Sequence, residues 1–385
     1  MASSTQEHHL HHLPTPYGTT TAPPPTPSAH SNHNHNHNLL STSEAADSLS
    51  RLLHRIPPTL SLSFDGRRQS PPSTTVSPPL ISLSDAKSIL HSNLLSAAKQ
   101  HGFFQLTQHS ISSHLAQSAE SESASIFNDE KQLCFPKNWP LGFDNDDDDD
   151  VVCGRSLCLD ESSSMELGFS SIHEFTSQME KLGLELIEEL ACVVGFENPV
   201  GEDRTRFCSL MWISESESGS SNMPLSPGRV YPYVVGLNYQ IRCRKYSMLA
   251  DSGWISVAPQ VDSVMVTLGD IAQVWSNGKV KKVRGRPITN GEINSSSNNS
   301  HYLSMTLLVT LAHENTVSPL LPMKLPSLGA VLNKEDDDGL GDNDSTTIAV
   351  EEESPMFNSF SFEDYAWRVY HARLNIKDPL VRYRV

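Results

Sequence analysis

The sequence predicts a mainly β fold, an antiparallel sandwich or barrel, with helices on the N-terminal side of it. Between residues 231 and 311, short runs alternate apolar with polar residues and are rich in the Val, Ile, Tyr and Trp that suit a pleated sheet. Gly, Asn, Asp and Pro interrupt these runs roughly every ten positions, so the runs are too short for helices. The predicted strands are 231–241, 245–249, 253–257, 263–270, 279–283 and 301–311.

Composition excludes several classes of function. The chain of 385 residues carries 28 basic and 45 acidic residues, and the net charge of −17 repels a nucleic-acid backbone. Its six cysteines include no Cys-x-x-Cys pair, which fits a reducing compartment better than a disulfide framework. No run of 18 apolar residues is present, and the N-terminus is polar. We therefore expect a soluble, cytoplasmic protein that contacts neither membrane nor nucleic acid; its oligomeric state stays open.

The first 78 residues form a tail and linker rich in His, Pro and Ser, which we expect to be disordered because they cannot bury enough apolar surface. A short helix is possible within 48–62, before Pro57 and Pro58. The histidine repeats suggest a metal site, but imidazoles on an unfolded chain bind metals weakly. A solvated tail is the favoured interpretation.

Residues 79–200 read as an N-terminal region of strands and helices. Ile81 and Leu83 alternate as in a strand, and Ser84 is a candidate cap for a helix that ends at Gly102. The predicted core positions of this helix are Ile89, Leu90, Leu94, Leu95 and Ala98. A buried strand follows to residue 111, and helices are predicted over 112–128 and 173–196. Their candidate core residues are Leu115, Ala119, Ile126, Phe175, Met179, Leu182, Leu186, Leu190 and Val193 or Val194, with Gly195 ending the second helix.

Two acidic stretches interrupt the chain. The aspartate run at 144–152 lacks the spaced ligands, the Gly turn and the distal Glu of a calcium loop, so a solvated loop is favoured. Residues 329–356 are predicted to be a mobile acidic insertion. The last segment, 357–385, is predicted to be a helix followed by an extended tail after Pro379. Its packing residues would be Tyr365, Val369, Ala372 and Leu374.

Three segments resemble the plant-type 2-oxoglutarate- and Fe(II)-dependent dioxygenases, relatives of isopenicillin N synthase. They are HGFFQLTQHSI (101–111), VTLGDIAQVWSNGKVKKV (266–283) and KDPLVRYRV (377–385), and the middle one is the most specific. The resemblance implies a double-stranded β-helix, or jelly roll, over 201–328, with the N-terminal helices packed on it. It also implies that enzymes of this type hold iron with a His-x-Asp pair and a distant His, and 2-oxoglutarate with the Arg of an Arg-x-Ser pair.

The positions that match these motifs have lost the ligands. Alignment without gaps places Gln240 at the first His, Arg242 at the Asp, Gly285 at the second His and Tyr302 at the 2-oxoglutarate Arg, while Ser304 remains. No histidine occurs from Ser209 through Ser300, so a small shift of register restores none of them. Arg242 also places a positive charge where the metal would lie. His301 and His313 are expected to be ordinary surface or strand-end residues.

We therefore expect a non-catalytic protein with no cofactor, acting as a binding or regulatory protein. The alternative is an active oxygenase that holds Fe(II) and 2-oxoglutarate through atypical ligands and acts on a small plant metabolite or hormone. A third hypothesis is an interaction module whose acidic loops contact a protein partner. Of the three, only the oxygenase would bind iron and consume oxygen together with 2-oxoglutarate.

The basic residues suggest a further hypothesis. Arg242, Arg284 and Arg286 lie in two segments near the expected barrel mouth and could hold a small anionic ligand. In the plainer interpretation Arg244 and Lys282 point outward, and Arg242 pairs with a buried acid such as Asp251. Asp270 of the Gly-Asp pair is read as a turn residue or a support behind the site. Trp254 and Trp275 could line a pocket, although Trp in strands usually serves packing.

Overall fold

The computed structural model describes residues 75–128, 156–166, 168–201, 204–216, 230–290, 302–320, 354–371 and 378–385. The His-rich tail, the possible helix at 48–62 and the aspartate run lie outside these residues, as does the acidic insertion up to residue 353. The described residues all belong to one unit, which spans 40–385.

Two β-sheets face each other and form the jelly roll that the sequence predicts. The strands are β1 (Thr75–Val76), β2 (Leu80–Ser82), β3 (Phe103–Thr107), β4 (Ser156–Leu159), β5 (Phe207–Ser216), β6 (Val235–Tyr239), β7 (Lys245–Ala250), β8 (Gly253–Val257), β9 (Val264–Leu268), β10 (Val283–Asn290) and β11 (Tyr302–Leu311). The larger sheet has the order β2-β3-β9-β6-β11-β5-β4, and the smaller has the order β1-β8-β7-β10. A short pair, β12 (Thr316–Val317) with β13 (Phe360–Ser361), lies apart from both.

The middle of the larger sheet is buried on both faces. Every residue of β6 and of β9 is buried, because one face packs on helices and the other on the smaller sheet. Between the sheets lies an apolar cluster with members from five strands. Its buried members are Phe103, Tyr246, Met248, Val257, Met265 and Val283. The interior of the roll is therefore filled by side chains over this stretch.

Three helices cover the outer face: α1 (Lys87–Gln100), α2 (Ser113–Asn128) and α4 (Ser170–Val194). The predicted stripe of α4 is buried along its length, and Gly195 ends the helix at a φ of 85°, which favours glycine. Gly183 lets α4 approach the sheet, because a Cβ there would lie 2.7 Å from Cγ2 of Val309. The N-terminal helices thus pack directly on the sheet, as predicted.

Several local predictions about helices are wrong. The first helix begins at Lys87 with Ala86 at the cap position, while Ser84 bonds to Ser82 instead. Ile89 is 53 % exposed and therefore not core, because it lies on the outer side of α1. Helix α3 (Glu161–Glu166) and strand β4 were not predicted, since the short segment before the helical pattern of 173–196 offers no clear period.

Helical turns that were not predicted occur at two further places. Residues 270–275 form the short helix α5 (Asp270–Trp275), and the following strand starts only at Val283, not at residue 279. The C-terminal helix α6 runs over Phe362–His371, and the tail is not extended but a 3-10 turn over Pro379–Tyr383. Asp378 causes this turn, because its side chain caps the backbone N–H of Leu380. Ala372 and Leu374 lie outside the described residues.

Two general expectations can be compared with the part of the chain that is described. Cys158, Cys192, Cys208 and Cys243 all carry free thiols there. In the same part, none of the helices combines the length and the apolar character needed to cross a bilayer.

Candidate functional site at the expected metal positions

The positions that correspond to the metal and 2-oxoglutarate ligands lie on three neighbouring parts of the roll. Gln240 and Arg242 follow the end of β6, Gly285 is the third residue of β10, and Tyr302 and Ser304 begin β11. Backbone bonds fix the first of these, since Gln240 donates to the carbonyl of Ser263 at 2.9 Å. We call Gln240, Arg242, Gly285 and Tyr302 the counterpart positions.

Gln240 turns back onto its own strand. It is 1 % exposed, and its Nε2 donates to the side-chain oxygen of Asn238 at 2.6 Å and to the Asn238 carbonyl at 3.0 Å. Nδ2 of Asn238 in turn contacts the hydroxyls of Ser304 at 3.3 Å and Thr306 at 3.0 Å and the Met305 carbonyl at 2.9 Å. Ser304 therefore serves a buried hydrogen-bond network. Oε1 of Gln240 has no hydrogen-bond partner among the described residues.

Tyr246 borders this network from β7. Burial raises the pKa of its phenol, while the nearby Arg244 guanidinium and Gln240 amide oppose that shift. The phenol stays neutral at physiological pH and can serve as a hydrogen-bond donor to the network.

Arg242 points away from the interior. Its guanidinium forms an ion pair with Glu120 on α2, and its side chain is 56 % exposed. The hydrogen bond to Glu120 raises the pKa of Arg242, so the guanidinium remains charged. The predicted pairing with Asp251 is wrong: Oδ2 of Asp251 accepts hydrogen bonds from Nε2 of Gln273 at 3.0 Å and from the backbone of Lys282 at 3.2 Å. Asp251 is thus committed to supporting the turn after α5.

Gly285 has a φ of 72°, a conformation that a side chain such as His adopts only with strain. The hydroxyl of Tyr233 lies 2.9 Å from the Gly285 carbonyl and 3.0 Å from the Val283 carbonyl, and it donates to them. Burial raises the pKa of Tyr233 far above its usual range, which keeps this donor protonated. A neighbouring phenol thus stabilises the backbone of this position.

Of the three arginines proposed for anion binding, the two whose side chains are described, Arg242 and Arg284, have different acidic neighbours. Arg242 faces Glu120, whereas Arg284 lies close enough to Asp378 to lower the pKa of that carboxyl. Val283 faces the core between the sheets, so Lys282 and Arg284 occupy the opposite side of the chain. The side chains of Arg286 and Tyr302, and all of His301, lie outside the described residues.

The counterpart positions do not fit an iron ion. Iron of this type needs imidazole and carboxylate groups that converge on one point. Here the Gln240 amide bonds to Asn238, the Arg242 guanidinium is exposed and pairs with Glu120, and Gly285 has no side chain. Across the described ranges, no group of three or more His, Cys, Asp or Glu side chains is arranged to hold a metal. His313 lies 3.1 Å from the hydroxyl of Tyr231, at the end of β11.

Sequence reasoning missed a buried cluster of ion pairs and hydrogen bonds around Lys282. Lys282 was expected to point outward, but its side chain is fully buried, with Nζ 2.7 Å from Asp270 and 2.6 Å from Asp378. Tyr365 donates to Oδ2 of Asp270 at 2.7 Å, and Arg368 stacks on the Tyr365 ring at 5.3 Å. These five residues, which we call the C-terminal clamp, tie α6 and the tail to the roll. Asp270, Lys282 and Asp378 belong to the segments 266–283 and 377–385, so the resemblance was the available signal for these three. Tyr365 and Arg368 belong to α6, which the resemblance did not include.

The two tryptophans differ in position. Trp275 ends α5, not a strand, and is 1 % exposed. Trp254 lies in β8 and is partly buried. Trp275 contacts the ring of Phe207 edge-on, with centroids 6.1 Å apart, so packing is its main described role.

Comparisons with known proteins give the same picture of the fold. No family model matches the chain. It is 25 % identical over 267 residues to the oxoglutarate-dependent flavonoid 7-O-demethylase 1 of Ocimum basilicum. The match covers 58 % of this chain and 69 % of that protein. It is 26 % identical over 288 residues to gibberellin 3-beta-dioxygenase 4 of Arabidopsis thaliana, covering 64 % and 74 %.

Solved structures with the same fold include JOX2 in complex with 2OG, Fe and JA, with a TM-score of 0.58 and 13 % identity over 87 % of this chain and 97 % of that chain. The rice dioxygenase for auxin oxidation has a TM-score of 0.54 and 13 % identity over 80 % and 100 %. At this identity the structures establish the fold, which is the predicted jelly roll.

The expectation that no cofactor accompanies this chain is wrong in the light of these relatives. The demethylase is named as oxoglutarate-dependent, and JOX2 was solved with iron and 2OG. The absence of the usual ligand residues from the counterpart positions does not by itself mean that the cofactors are absent. Iron and 2-oxoglutarate are the cofactors associated with this fold.

Proposed function

We propose that this chain, which belongs to the plant-type 2-oxoglutarate- and Fe(II)-dependent dioxygenase superfamily, acts as a binding or regulatory protein and not as an oxygenase. Fold and ancestry do not decide the matter, because one fold can host many functions. The proposal rests on the residues at the counterpart positions. It states that the protein does not turn over 2-oxoglutarate, which remains a candidate ligand.

One observation carries the proposal. The side chain at the first counterpart position, Gln240, uses its nitrogen to bond Asn238 and so belongs to a buried network that also holds Ser304. A metal ligand in that place would have to break this network and leave buried polar groups unpaired, at about 1–3 kcal/mol for each group. The neighbouring Gly285 backbone is in turn held by Tyr233. These contacts support the proposal because the counterpart positions are bonded to neighbouring protein groups and not arranged around a metal ion.

An active oxygenase with atypical ligands is the second candidate, and the names of the curated relatives favour it. The anion-binding hypothesis is weaker than either. Arg242 already has a carboxylate partner in Glu120, and Arg284 lies beside Asp378. An incoming anion would have to compete with these carboxylates for the guanidinium groups.

The test separates binding from turnover. The full-length protein is titrated anaerobically with Fe(II) and 2-oxoglutarate by calorimetry, and then oxygen is admitted and succinate is measured. We expect no succinate above that of a protein-free blank, whether or not 2-oxoglutarate binds. Heat of binding without turnover is the result expected of a binding protein.

Iron-dependent succinate that exceeds the blank in proportion to protein concentration would overturn the proposal. The variant Gln240→Ala, Arg242→Ala is assayed in parallel as a control. Activity shared by the variant and the natural chain would place an oxygenase centre away from these residues, which equally contradicts the proposal.

A further inference from the structure

Two exposed lysines lie side by side where α1 ends. Lys99 belongs to the last turn of α1. Lys281 is held against the same turn, because its backbone N–H donates to the Ala98 carbonyl at 2.9 Å. Both lysines are exposed. We call Lys99 and Lys281 the α1 lysine face.

The backbone beneath the α1 lysine face is fixed by close packing. Gly102 follows α1 with a φ of 76°, which favours glycine, and a Cβ there would lie 2.6 Å from the carbonyl carbon of Lys281. The N–H of Leu268 donates to the Gly102 carbonyl at 2.8 Å, which ties this turn to the end of β9. A partner that binds here would therefore order little of the backbone, and that lowers the cost of binding.

Neither ammonium group of the face has a hydrogen bond or an ion pair within the described part of the chain. Asp251 bonds to the same region, but its Oδ2 accepts from the backbone N–H of Lys282 at 3.2 Å and from Nε2 of Gln273 at 3.0 Å. The buried Lys282, next in the chain, has two carboxylate partners. Two successive lysines thus differ completely: one is neutralised inside the fold, and the other presents its charge to solvent.

The end of α1 accounts for only part of the positive charge of the face. Aligned peptide dipoles place about half a negative charge at the C-terminus of a helix, and Lys99 and Lys281 are favourably placed beside it. Two full charges exceed that partial charge. In a chain with a net charge of −17, the face attracts a negatively charged surface that most of the molecule repels.

The face fits a run of carboxylates better than other anions. Lysine ammonium groups lack the planar fork of arginine, so they do not hold one carboxylate or phosphate in a fixed two-bond geometry. A nucleic acid is repelled by the net charge of −17. Recognition of an anionic membrane takes a cluster of about 4–8 basic residues, which is more than this face has. Successive Asp or Glu side chains of a protein segment can reach both ammonium groups in several geometries.

From these observations we propose that the α1 lysine face docks an acidic segment of a partner protein, in which several Asp or Glu side chains lie close together. The inference names a partner for the binding role and rests on that proposed function for its biological meaning. It does not depend on the counterpart positions.

The test uses a fluorescein-labelled octaglutamate peptide as the probe. Its binding to the full-length chain is followed by fluorescence anisotropy at low ionic strength. We expect saturable binding that weakens about fivefold or more between about 50 and about 200 mM salt, because exposed charges are screened. An octaglutamine peptide with the same label should not bind.

A pair of double variants locates the binding. Lys99→Glu, Lys281→Glu reverses both charges of the face and should weaken binding about tenfold or more. The control Lys181→Glu, Lys245→Glu reverses two exposed lysines on α4 and β7, so it changes the net charge by the same amount. It should weaken binding less than about threefold, through net charge alone. Thermal melts confirm that each variant is folded.

Absence of saturable peptide binding, or equal weakening by the two double variants, overturns the inference. A further variant, in which the four acidic residues 335–338 are replaced by their amides, tests the chain itself as the occupant. Peptide binding to this variant but not to the natural chain would mean that the chain's own acidic residues occupy the face, and no external partner would be needed.

Membrane binding is the remaining outcome against the inference. Vesicles with about one-third phosphatidylserine that bind the natural chain when the peptide does not, and lose binding in Lys99→Glu, Lys281→Glu, would assign the face to a lipid surface. All of these results leave the proposed lack of turnover standing, since that is measured by succinate. Conversely, succinate formation would remove the proposed function, while peptide binding to the face could still be observed.

Discussion

The counterpart positions and the C-terminal clamp show opposite relations between sequence and structure. At the counterpart positions, the family motif predicts converging ligands, and the described side chains instead point to their own neighbours or to solvent. At the clamp, the motif segments are well matched, and they meet in a buried network around Lys282, with Nζ between two carboxylates. Resemblance to the enzymes is therefore strongest where it supports the architecture.

This difference explains why the chain is recognisable by fold and ambiguous by function. Buried ions must be paired, because an unpaired charge in the interior costs several kcal/mol. The requirement to pair buried charges is therefore enough to explain why Lys282 lies between Asp270 and Asp378. Catalysis requires particular side chains at the counterpart positions, and a chain can fold without those side chains.

Replacement of Lys282 should have the largest effect. Lys282→Met leaves Asp270 and Asp378 buried without their cation, and we expect a loss of about 3–5 kcal/mol in the free energy of unfolding. Urea denaturation followed by circular dichroism measures it. Lys281→Met, which removes the neighbouring exposed charge, should change stability by no more than about 0.5 kcal/mol. Equal effects of the two variants would show that the clamp does not stabilise the fold.

The next effect compares two phenols. Tyr365→Phe removes the 2.7 Å hydrogen bond to the buried Asp270 and should cost about 1.5–3 kcal/mol, since the acceptor is charged. Tyr239→Phe removes a similar bond, of 3.1 Å to Asp262, at the end of β6 beside the counterpart positions. Asp262 is exposed and can bond to water instead, so we expect a loss of less than about 1 kcal/mol. A larger loss from Tyr239→Phe would reverse the comparison.

The pH dependence of the clamp should be smaller and has a definite sign. Burial alone raises the pKa of Asp378, but the Lys282 ammonium, the Leu380 N–H and Arg284 outweigh it, so that the pKa lies below its ordinary value. A lowered pKa contributes stability that is present above the unfolded pKa, about 3.9. That contribution is lost as the pH falls through the folded value.

We therefore expect the stability difference between the natural chain and Asp378→Asn to be constant near neutral pH and to shrink below about pH 4. Urea titrations of both proteins at several pH values measure this difference. A difference that grew on acidification would mean that Asp378 has a raised pKa and that burial dominates its environment.

How far the sequence predicts the structure also differs between regions. The stripe of α4 was readable because it repeats one burial pattern over many residues. Strand β9 was readable because its short apolar run is bounded by turn residues. Lys282 could not be placed inside from sequence, since an isolated lysine is expected at the surface. Its burial depends on Asp378, which is 96 residues away in the chain. Glu120 was likewise not identifiable as the partner of Arg242, 122 residues later.

The smallest effect is expected at Arg242, where the counterpart position has become a surface ion pair. Its guanidinium contacts Glu120, but with 56 % of the side chain exposed, water solvates and salt screens the charge. Arg242→Met should therefore cost less than about 1 kcal/mol in the free energy of unfolding, and the coupling to Glu120→Gln in a double-mutant cycle should fade in about 0.5 M salt. Urea denaturation at low and high salt measures both quantities. A cost above about 2 kcal/mol that is insensitive to salt would mean that Arg242 supports the interior, and the contrast between the exposed Arg242 ion pair and the buried clamp would no longer hold.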